Sequence, residues 1–308
     1  MGNMICPVCN FSIQKEKTSS IVYPPRKGQS KNLFEFIYFC PGCHVGVAAP
    51  ALTDHEIDQL YIDGDYWNSQ KGQDLSPNMF PGQYAMSECR MRFVEAFIPK
   101  DKLVSILDVG AGHGFLGDLA LSKMRFCMGK YAVVEKDRFY REALTNVWKG
   151  RSKIEFKAWE DIKDAAGDFD LIILSHVLEH VNDPKRMLQQ AAAFLNEGGL
   201  LLVDVPHQDY LFKEDVSPHV LFYDPSNLRK LVKESGLKVI ALECFGRSRA
   251  RLSRGQRNPA LRKILEHIVY KLRSILPLAL TKRFFHWYFQ GDKPNPDGVW
   301  IRAVLTKV

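Results

Sequence analysis

A chain of 308 residues is long enough for about two domains. Its 46% hydrophobic and 25% charged content is that of an ordinary globular protein in water. No apolar run reaches the ~18 residues of a membrane-spanning helix, and the start, MGNMICPVCN, lacks the charged head and apolar core of a secretory signal, so a cytoplasmic protein is expected. The net charge of +7 is localised: residues 247–283 hold eleven Lys and Arg against one acid, Glu266. That segment carries +10 and the remainder −3, so an anionic partner belongs there.

The first pattern in chain order is Cys6-Pro-Val-Cys9 and Cys40-Pro-Gly-Cys43, a C-x2-C-x30-C-x2-C spacing. Each pair can present two thiolates from a tight turn, and two such turns make a closed, tetrahedral structural zinc site. Four thiolates leave no open position for catalysis, and seven cysteines, four of them in two CxxC pairs, suit a reducing compartment. Residues 1–50 are therefore expected to form a zinc ribbon, with His44 a conceivable substitute ligand. Residues 51–83 read as a helical linker or cover: a short helix over 54–66 with a turn at Gly64, then a polar stretch, 72–82. A second helix is expected over 86–97, with Met86, Met91, Val94 and Phe97 on its apolar face.

An apolar strand at 103–106 leads into LDVGAGHGFLGD, residues 107–118, and then into a helical pattern. Strand, glycine turn and helix open a doubly wound sheet, whose ligands sit at the carboxyl ends of the strands. Gly110, Gly112 and Gly114 are spaced GxGxG, with Phe115 where a dinucleotide fingerprint would have its third glycine. Together with Asp108 this argues against NAD and for a nucleoside without pyrophosphate, S-adenosylmethionine (SAM). A second strand, 131–134, ends in Glu135, 25 residues beyond Gly110, where a carboxylate can accept hydrogen bonds from ribose hydroxyls. A third, 154–156, is followed by Trp159, Glu160 and Asp161, expected beside the adenine, where an aromatic face or a carboxylate could hold the base. The fourth, 169–174, runs into Ser175-His176-Val177-Leu178-Glu179-His180. Asp183-Pro184 then starts a helix that includes Leu195 in its apolar face and stops at Gly198. Strands at 200–205, 237–242 and 299–305 and a helix from Asp224 to Gly236 complete the β-α alternation.

LDVGAGHGF, VVEKD, SHVLEHVNDP and the stretch from LLLVDVPHQDYLF to LVKESGLKV resemble the class I SAM-dependent methyltransferases, in the branch that includes ubiquinone-type enzymes. The resemblance implies an α/β, Rossmann-like fold with a doubly wound, seven-stranded, mainly parallel sheet over 84–308. It also implies that Asp108, Gly110, Gly112 and Gly114 line the methionine and ribose, Glu135 the ribose, and Ser175 and His176 the sulfonium end. Some relatives hold a divalent metal with an acid at the position of His176 together with a Glu-His pair. Glu179 and His180 match that pair, and His176 departs from it. The cysteine pattern is similar, more loosely, to segments fused ahead of sugar and surface-polysaccharide methyltransferases, which implies O-methylation of a glycan precursor or other small acceptor.

Attack by a hydroxyl requires a base, and histidine suits neutral pH. The candidates, in order, are His180, His176, His219 and His207, with Tyr223 an outside candidate for positioning. Between the last two strands lies a basic helical insertion, 247–297, in which Leu261, Ile264, Leu265, Ile268, Val269, Leu272, Ile275 and Leu276 form one stripe, followed by Phe284, Phe285, Trp287, Tyr288 and Phe289. It reads as a lid packed on the sheet domain or on a twin subunit. The alternatives are an element over 247–290 resting on an anionic membrane, which would make the protein peripheral at the inner face, and an RNA grip through 247–257. An RNA methyltransferase and a catalytically silent scaffold are the competing functions.

Overall fold

The computed structural model describes residues 3–24, 33–62, 74–151, 153–253, 259–273 and 275–308. In chain order these form β1 (Met4–Ile5), β2 (Ser12–Ile13), β3 (Ser20–Val22), β4 (Phe36–Phe39), β5 (Gly46–Ala49), α1 (Asp54–Ile62), α2 (Pro81–Glu95), β6 (Leu103–Val109), α3 (Phe115–Lys123), β7 (Cys127–Val134), α4 (Arg138–Lys149), β8 (Glu155–Trp159) and β9 (Phe169–Ser175). Then come α5 (Pro184–Ala193), β10 (Leu195–Pro206), β11 (Leu221–Phe222), α6 (Pro225–Glu234), β12 (Leu237–Ser248), α7 (Arg249–Ser253), α8 (Pro259–Leu272), α9 (Leu278–Phe289) and β13 (Gly298–Lys307). The expected turn at Gly64, with the start of the polar stretch after it, lies outside the described residues.

The main sheet has the order β12-β13-β10-β9-β6-β7-β8. Neighbours are parallel except for β13, which is antiparallel to both β10 and β12. This is the expected doubly wound, seven-stranded, Rossmann-like sheet. The order in which strands are added reverses between the parallel neighbours β6 and β9, which opens a crevice at their carboxyl ends. Side chains alternate across it as strand geometry requires. Val104, Ile106, Tyr131, Val133, Leu171 and Ile173 join one buried cluster with α2, α3 and α4. Leu107, Val109, Ala132, Val134, Ile172 and Leu174 join another with α5 and α6.

Three local expectations shift. The helix ahead of β6 begins at Pro81, so a boundary at 83/84 cuts through it. The helix after Asp183 ends at Ala193, and Leu195 already belongs to β10, with Gly198 at φ 68° inside the strand's register shift. The N-terminal segment has no core of its own: β3, β4 and β5 form a second sheet whose outer strand is β11, from the far half of the chain. Cys6, Ile13, Tyr23, Phe34 and Ile37 lie in the same buried cluster as Leu201, Val203 and Leu305. Among the described residues no helix is long and apolar enough to cross a membrane.

The insertion forms helices on both sides of Pro277, as its pattern predicts, but their packing is reversed. The aromatic helix α9 lies on α2, with Phe285 and Tyr288 buried against Ala85. On α8 Ile264, Ile268 and Leu272 of the expected core stripe are exposed, as is its member Ile275 just after the helix, whereas Val269 is partly buried against the α9 cluster. The side chains of Leu261 and Leu265 lie outside the described residues.

Candidate active site

A cavity of about 1180 Å³ opens over the carboxyl ends of β6, β7 and β9. One wall is formed by Gly110, Gly112, Glu135, Asp161, Ile162, Ser175 and His176. The opposite wall is formed by Phe80, Met86 and Arg90 of the α2 region, Phe285 and Phe289 of α9, and Trp300 of β13, with His267 and Tyr270 of α8 beside them.

The glycine loop is built by conformation. Gly110, Gly112 and Gly114 have φ of 72°, 50° and 70°, a left-handed region that glycine enters without penalty. They serve different ends. A Cβ at Gly114 would lie 2.4 Å from Leu144, so that glycine lets α4 pack against the loop and does not reach the cavity. A Cβ at Gly112 would meet nothing within 4 Å, because it would project into the cavity. The Gly112 N–H donates to Glu135 Oε2 at 2.8 Å, and the Asp137 N–H donates to Oε1 at 3.0 Å. Burial raises the Glu135 carboxyl above its ordinary value, and these two N–H groups oppose the rise.

Three residues expected to touch the ligand sit elsewhere. Asp108 is fully buried under the loop, where the Tyr131 hydroxyl donates to its Oδ2 at 2.9 Å and burial pushes the carboxyl up to about 7. It supports the base of the loop and does not line the cavity. Trp159 packs into the core, and its carbonyl accepts the Glu135 N–H at 3.0 Å. Glu160 points outward and pairs with Arg141 at 3.0 Å. The cavity wall begins one residue later, at Asp161 and Ile162. The strand ends later than the sequence suggests, which moves the wall along the chain.

His176 follows β9 with φ 57°, a strained conformation for a side-chain-bearing residue, and its ring faces the cavity with about a third of its surface open. Its Nδ1 lies 2.9 Å from Glu179 Oε1 and its Nε2 3.6 Å from Asp204 Oδ1. Burial alone would raise the Glu179 carboxyl, but His176, His180 and His219 around it bring it below its usual range. An ionised carboxylate only accepts, so Nδ1 donates to Glu179, while Nε2 at 3.6 Å is beyond hydrogen-bond distance of Asp204.

His180, first in the expected order, lies edge-on to Tyr61 and His219, and burial drives its pKa down to about 3. It is a neutral ring at physiological pH. His219 Nδ1 lies 3.1 Å from Asp209 Oδ2, and that buried carboxylate is held well below its usual value by His219 and Lys213 against the pull of burial. Glu179, His180 and His219 each bring one ligand-type atom within 4.8 Å of the others. His207 does not reach the cavity: its Nδ1–H donates to the Gly298 carbonyl at 2.8 Å, and burial lowers its pKa to about 4. Tyr223 is buried and donates to the Leu178 carbonyl at 3.1 Å, which anchors the turn carrying Glu179 and His180.

Two residues, His113 in the cavity wall and Asp204 buried behind it, gave no signal in the sequence. His113, between two of the glycines, packs its ring 4.3 Å from Phe80 and 5.0 Å from Phe115, tying the loop to the start of α2. Asp204 of β10 is fully buried, with Arg302 Nε at 2.6 Å and Arg90 Nε at 3.1 Å from its Oδ2. A buried carboxylate between two guanidiniums stays ionised, and here it faces the second nitrogen of His176.

On the far side of the His219 loop, Cys6 and Cys43 Sγ are 3.5 Å apart, as are Cys9 and Cys40 Sγ, and all four lie within 4.8 Å of one another. The Tyr23 hydroxyl donates to the carbonyls of Val216 at 3.1 Å and His219 at 3.0 Å, and the Ala48 N–H donates to the Val220 carbonyl at 2.9 Å. The cysteine segment thus holds the backbone on both sides of His219.

A family model described as a methyltransferase domain matches residues 82–242, just over half of the chain. The ubiquinone biosynthesis O-methyltransferase of Coxiella burnetii is 25% identical over 199 residues, 57% of this chain and 78% of that protein. The mitochondrial ubiquinone biosynthesis O-methyltransferase of Saccharomyces cerevisiae is 28% identical over 127 residues, 38% of each chain. A solved S-adenosylmethionine-dependent methyltransferase from Clostridium acetobutylicum overlays 82% of this chain and 96% of its own, with TM-score 0.44 and 12% identity. The glycine loop, with room for a ligand at Gly112 and a carboxylate at Glu135, fits the nucleoside this fold uses. The chain belongs to the methyltransferase-domain family and is a class I, SAM-dependent methyltransferase.

Proposed function

We propose that the protein methylates a hydroxyl group of a small, ring-bearing acceptor, with His176 as the general base. The observation that carries this is the His176 ring, open to the cavity beside the glycine loop and backed by the buried Glu179 carboxylate at 2.9 Å. The relatives named for O-methylation support a hydroxyl acceptor. The aromatic wall of Phe80, Phe285, Phe289 and Trp300 supports a flat, apolar body over a glycan. The sugar or polysaccharide acceptor implied by the cysteine pattern has no observation behind it.

SAM, when bound, supplies a methyl group on a sulfonium that leaves readily. Gly110 and Gly112 would admit it against the backbone, Glu135 would accept from its ribose hydroxyls, and Asp161 and Ile162 would flank the base. Ser175 and His176 would stand at the reacting end. His176 Nε2 takes the proton from the acceptor hydroxyl as the oxygen attacks, and the imidazolium formed lies between the Glu179 and Asp204 carboxylates. General-base catalysis of this kind contributes about 10²–10⁴-fold. His180, kept neutral by burial, and His219, bound to Asp209, shape the pocket beside it.

The four cysteines are inferred to hold a structural zinc ion. Zn–S bonds of about 2.3 Å in a tetrahedron put the sulfurs about 3.8 Å apart. The observed pairs at 3.5 Å fit that spacing and are far from the ~2.05 Å of a disulfide.

Two variants test the reading. Gly112→Val places a branched side chain in the cavity at φ 50° and should abolish the heat of binding S-adenosylhomocysteine. His176→Ala should bind it as the native protein does while kcat on a catechol-type acceptor falls by about 10²–10⁴-fold. A larger loss in His180→Ala than in His176→Ala would sink the assignment of the base.

A further inference from the structure

We propose that the outer face of the insertion, formed by the end of α8 and by α9, docks on an anionic lipid bilayer. Two observations meet there. The first is apolar surface without a partner among the described residues. On α8 and just after it, Ile264, Ile268, Leu272 and Ile275 follow one another at helical spacing, and Ile275 is 77% exposed. On α9, Leu280 and Trp287, seven residues apart, are 58% and 67% exposed, while Thr281, Phe285 and Tyr288 on the opposite side are buried. Water-facing helices do not ordinarily carry two such stripes in succession.

The second observation is charge. Residues 247–283 carry +10, and Lys271 and Arg283 are exposed within the same stretch as the apolar stripes. Arg273 lies flat on the Tyr270 ring at 3.6 Å. An apolar stripe flanked by cations and an exposed tryptophan is the composition of a helix that lies in the interface of an anionic membrane. Each alternative satisfies only half of it. A nucleic acid would match the charge and leave the isoleucines in water. A second copy would cover them but would set the exposed Lys271 and Arg283 against their own like charges. His267 and Tyr270, on the same helix, line the cavity, so docking would bring its mouth to the lipid surface, where an apolar acceptor resides. That last step rests on the acceptor reading above; the docking does not.

The test is cosedimentation of the full chain with phosphatidylcholine vesicles, with and without phosphatidylglycerol. The native protein should partition onto the anionic vesicles roughly tenfold or more better than onto the neutral ones, less so as salt is raised, with a blue shift of Trp287 fluorescence. The double variant Ile275→Asp, Leu280→Asp should lose that binding while titrating S-adenosylhomocysteine like the native protein, which shows that it is folded. Equal binding to neutral vesicles overturns the proposal. So does unchanged binding by the variant, or a dimer in ultracentrifugation that the variant dissolves. Failure to bind S-adenosylhomocysteine would count against the methyltransferase reading and not against the docking.

Discussion

The cavity has two accessory regions beside it, and they are attached in opposite ways. The cysteine segment is joined by a β-ladder between β5 and β11, by a buried tyrosine bonded to two loop carbonyls, and by a core continuous with the main sheet. The insertion is joined chiefly through one helix, α9. Its buried contact with α2 is a small cluster around Ala85, Phe285 and Tyr288, and a polar clamp in which Glu88 holds Lys282 at 2.7 Å and His286 at 3.2 Å. The first region sets the geometry of the loop bearing His219. The second covers the site. A shared core transmits damage to the whole fold, whereas a clamped helix can open without global cost.

The sharpest way to break this comparison is to remove one of the four cysteines proposed to hold zinc. Cys40→Ser should eliminate bound zinc, measured by metal analysis, and because its surroundings belong to the main core the whole domain should melt at least about 10 °C lower. If the segment alone unfolds while the methyltransferase transition stays in place, the two are not one cooperative unit. Tyr23→Phe is gentler. It strips one donor from two buried carbonyls, at a cost of about 1–3 kcal/mol. It should lower kcat severalfold with little change in the affinity for S-adenosylhomocysteine, because the loop moves and the nucleoside site does not. Equal losses in both would mean that the cysteine segment acts on the fold in general.

Most of the nucleoside side was legible in the sequence because it depends on short-range patterns. Glycine spacing, alternation in β6 and β7 and the acid at a strand end all lie within one β-α-β unit. What was not legible depends on contacts between distant strands. Asp204 becomes a partner of His176 only because β10 pairs with β13, which brings Arg302 to it, and because α2 supplies Arg90. β11 has two residues and no pattern of its own, yet it welds the N-terminal segment to the site. The proposed order of the histidines changes for a related reason: burial decides which of them can hold a proton, and burial is a property of the packed chain. The stripe on α8 misled in the other direction, since helical periodicity says that a face is apolar and not what covers it.

The clamp on α9 offers the mildest perturbation, by pH alone. His286 Nδ1 lies 3.4 Å from Cys89 Sγ and its Nε2 3.2 Å from Glu88 Oε2, so both nitrogens donate only in the imidazolium form. Its pKa rises to about 9, chiefly through the bond to Cys89 and then that to Glu88. Glu88 is held near 2: burial pushes it up, but His286, Lys282 and Arg92 outweigh that effect. A histidine whose pKa is higher folded than unfolded adds stability that is complete below about 6.5 and lost as pH rises through about 9. Its share here is about 1–3 kcal/mol, enough to change the opening of one helix and too little to unfold the domain. Amide exchange in α9, corrected for the intrinsic rate, should therefore accelerate between pH 7 and pH 10 while exchange in β5 and β11 keeps its protection. His286→Gln should show the fast exchange already at pH 7 and remove the pH step. If α9 and β5 lose protection together, the lid is as firmly built into the core as the cysteine segment.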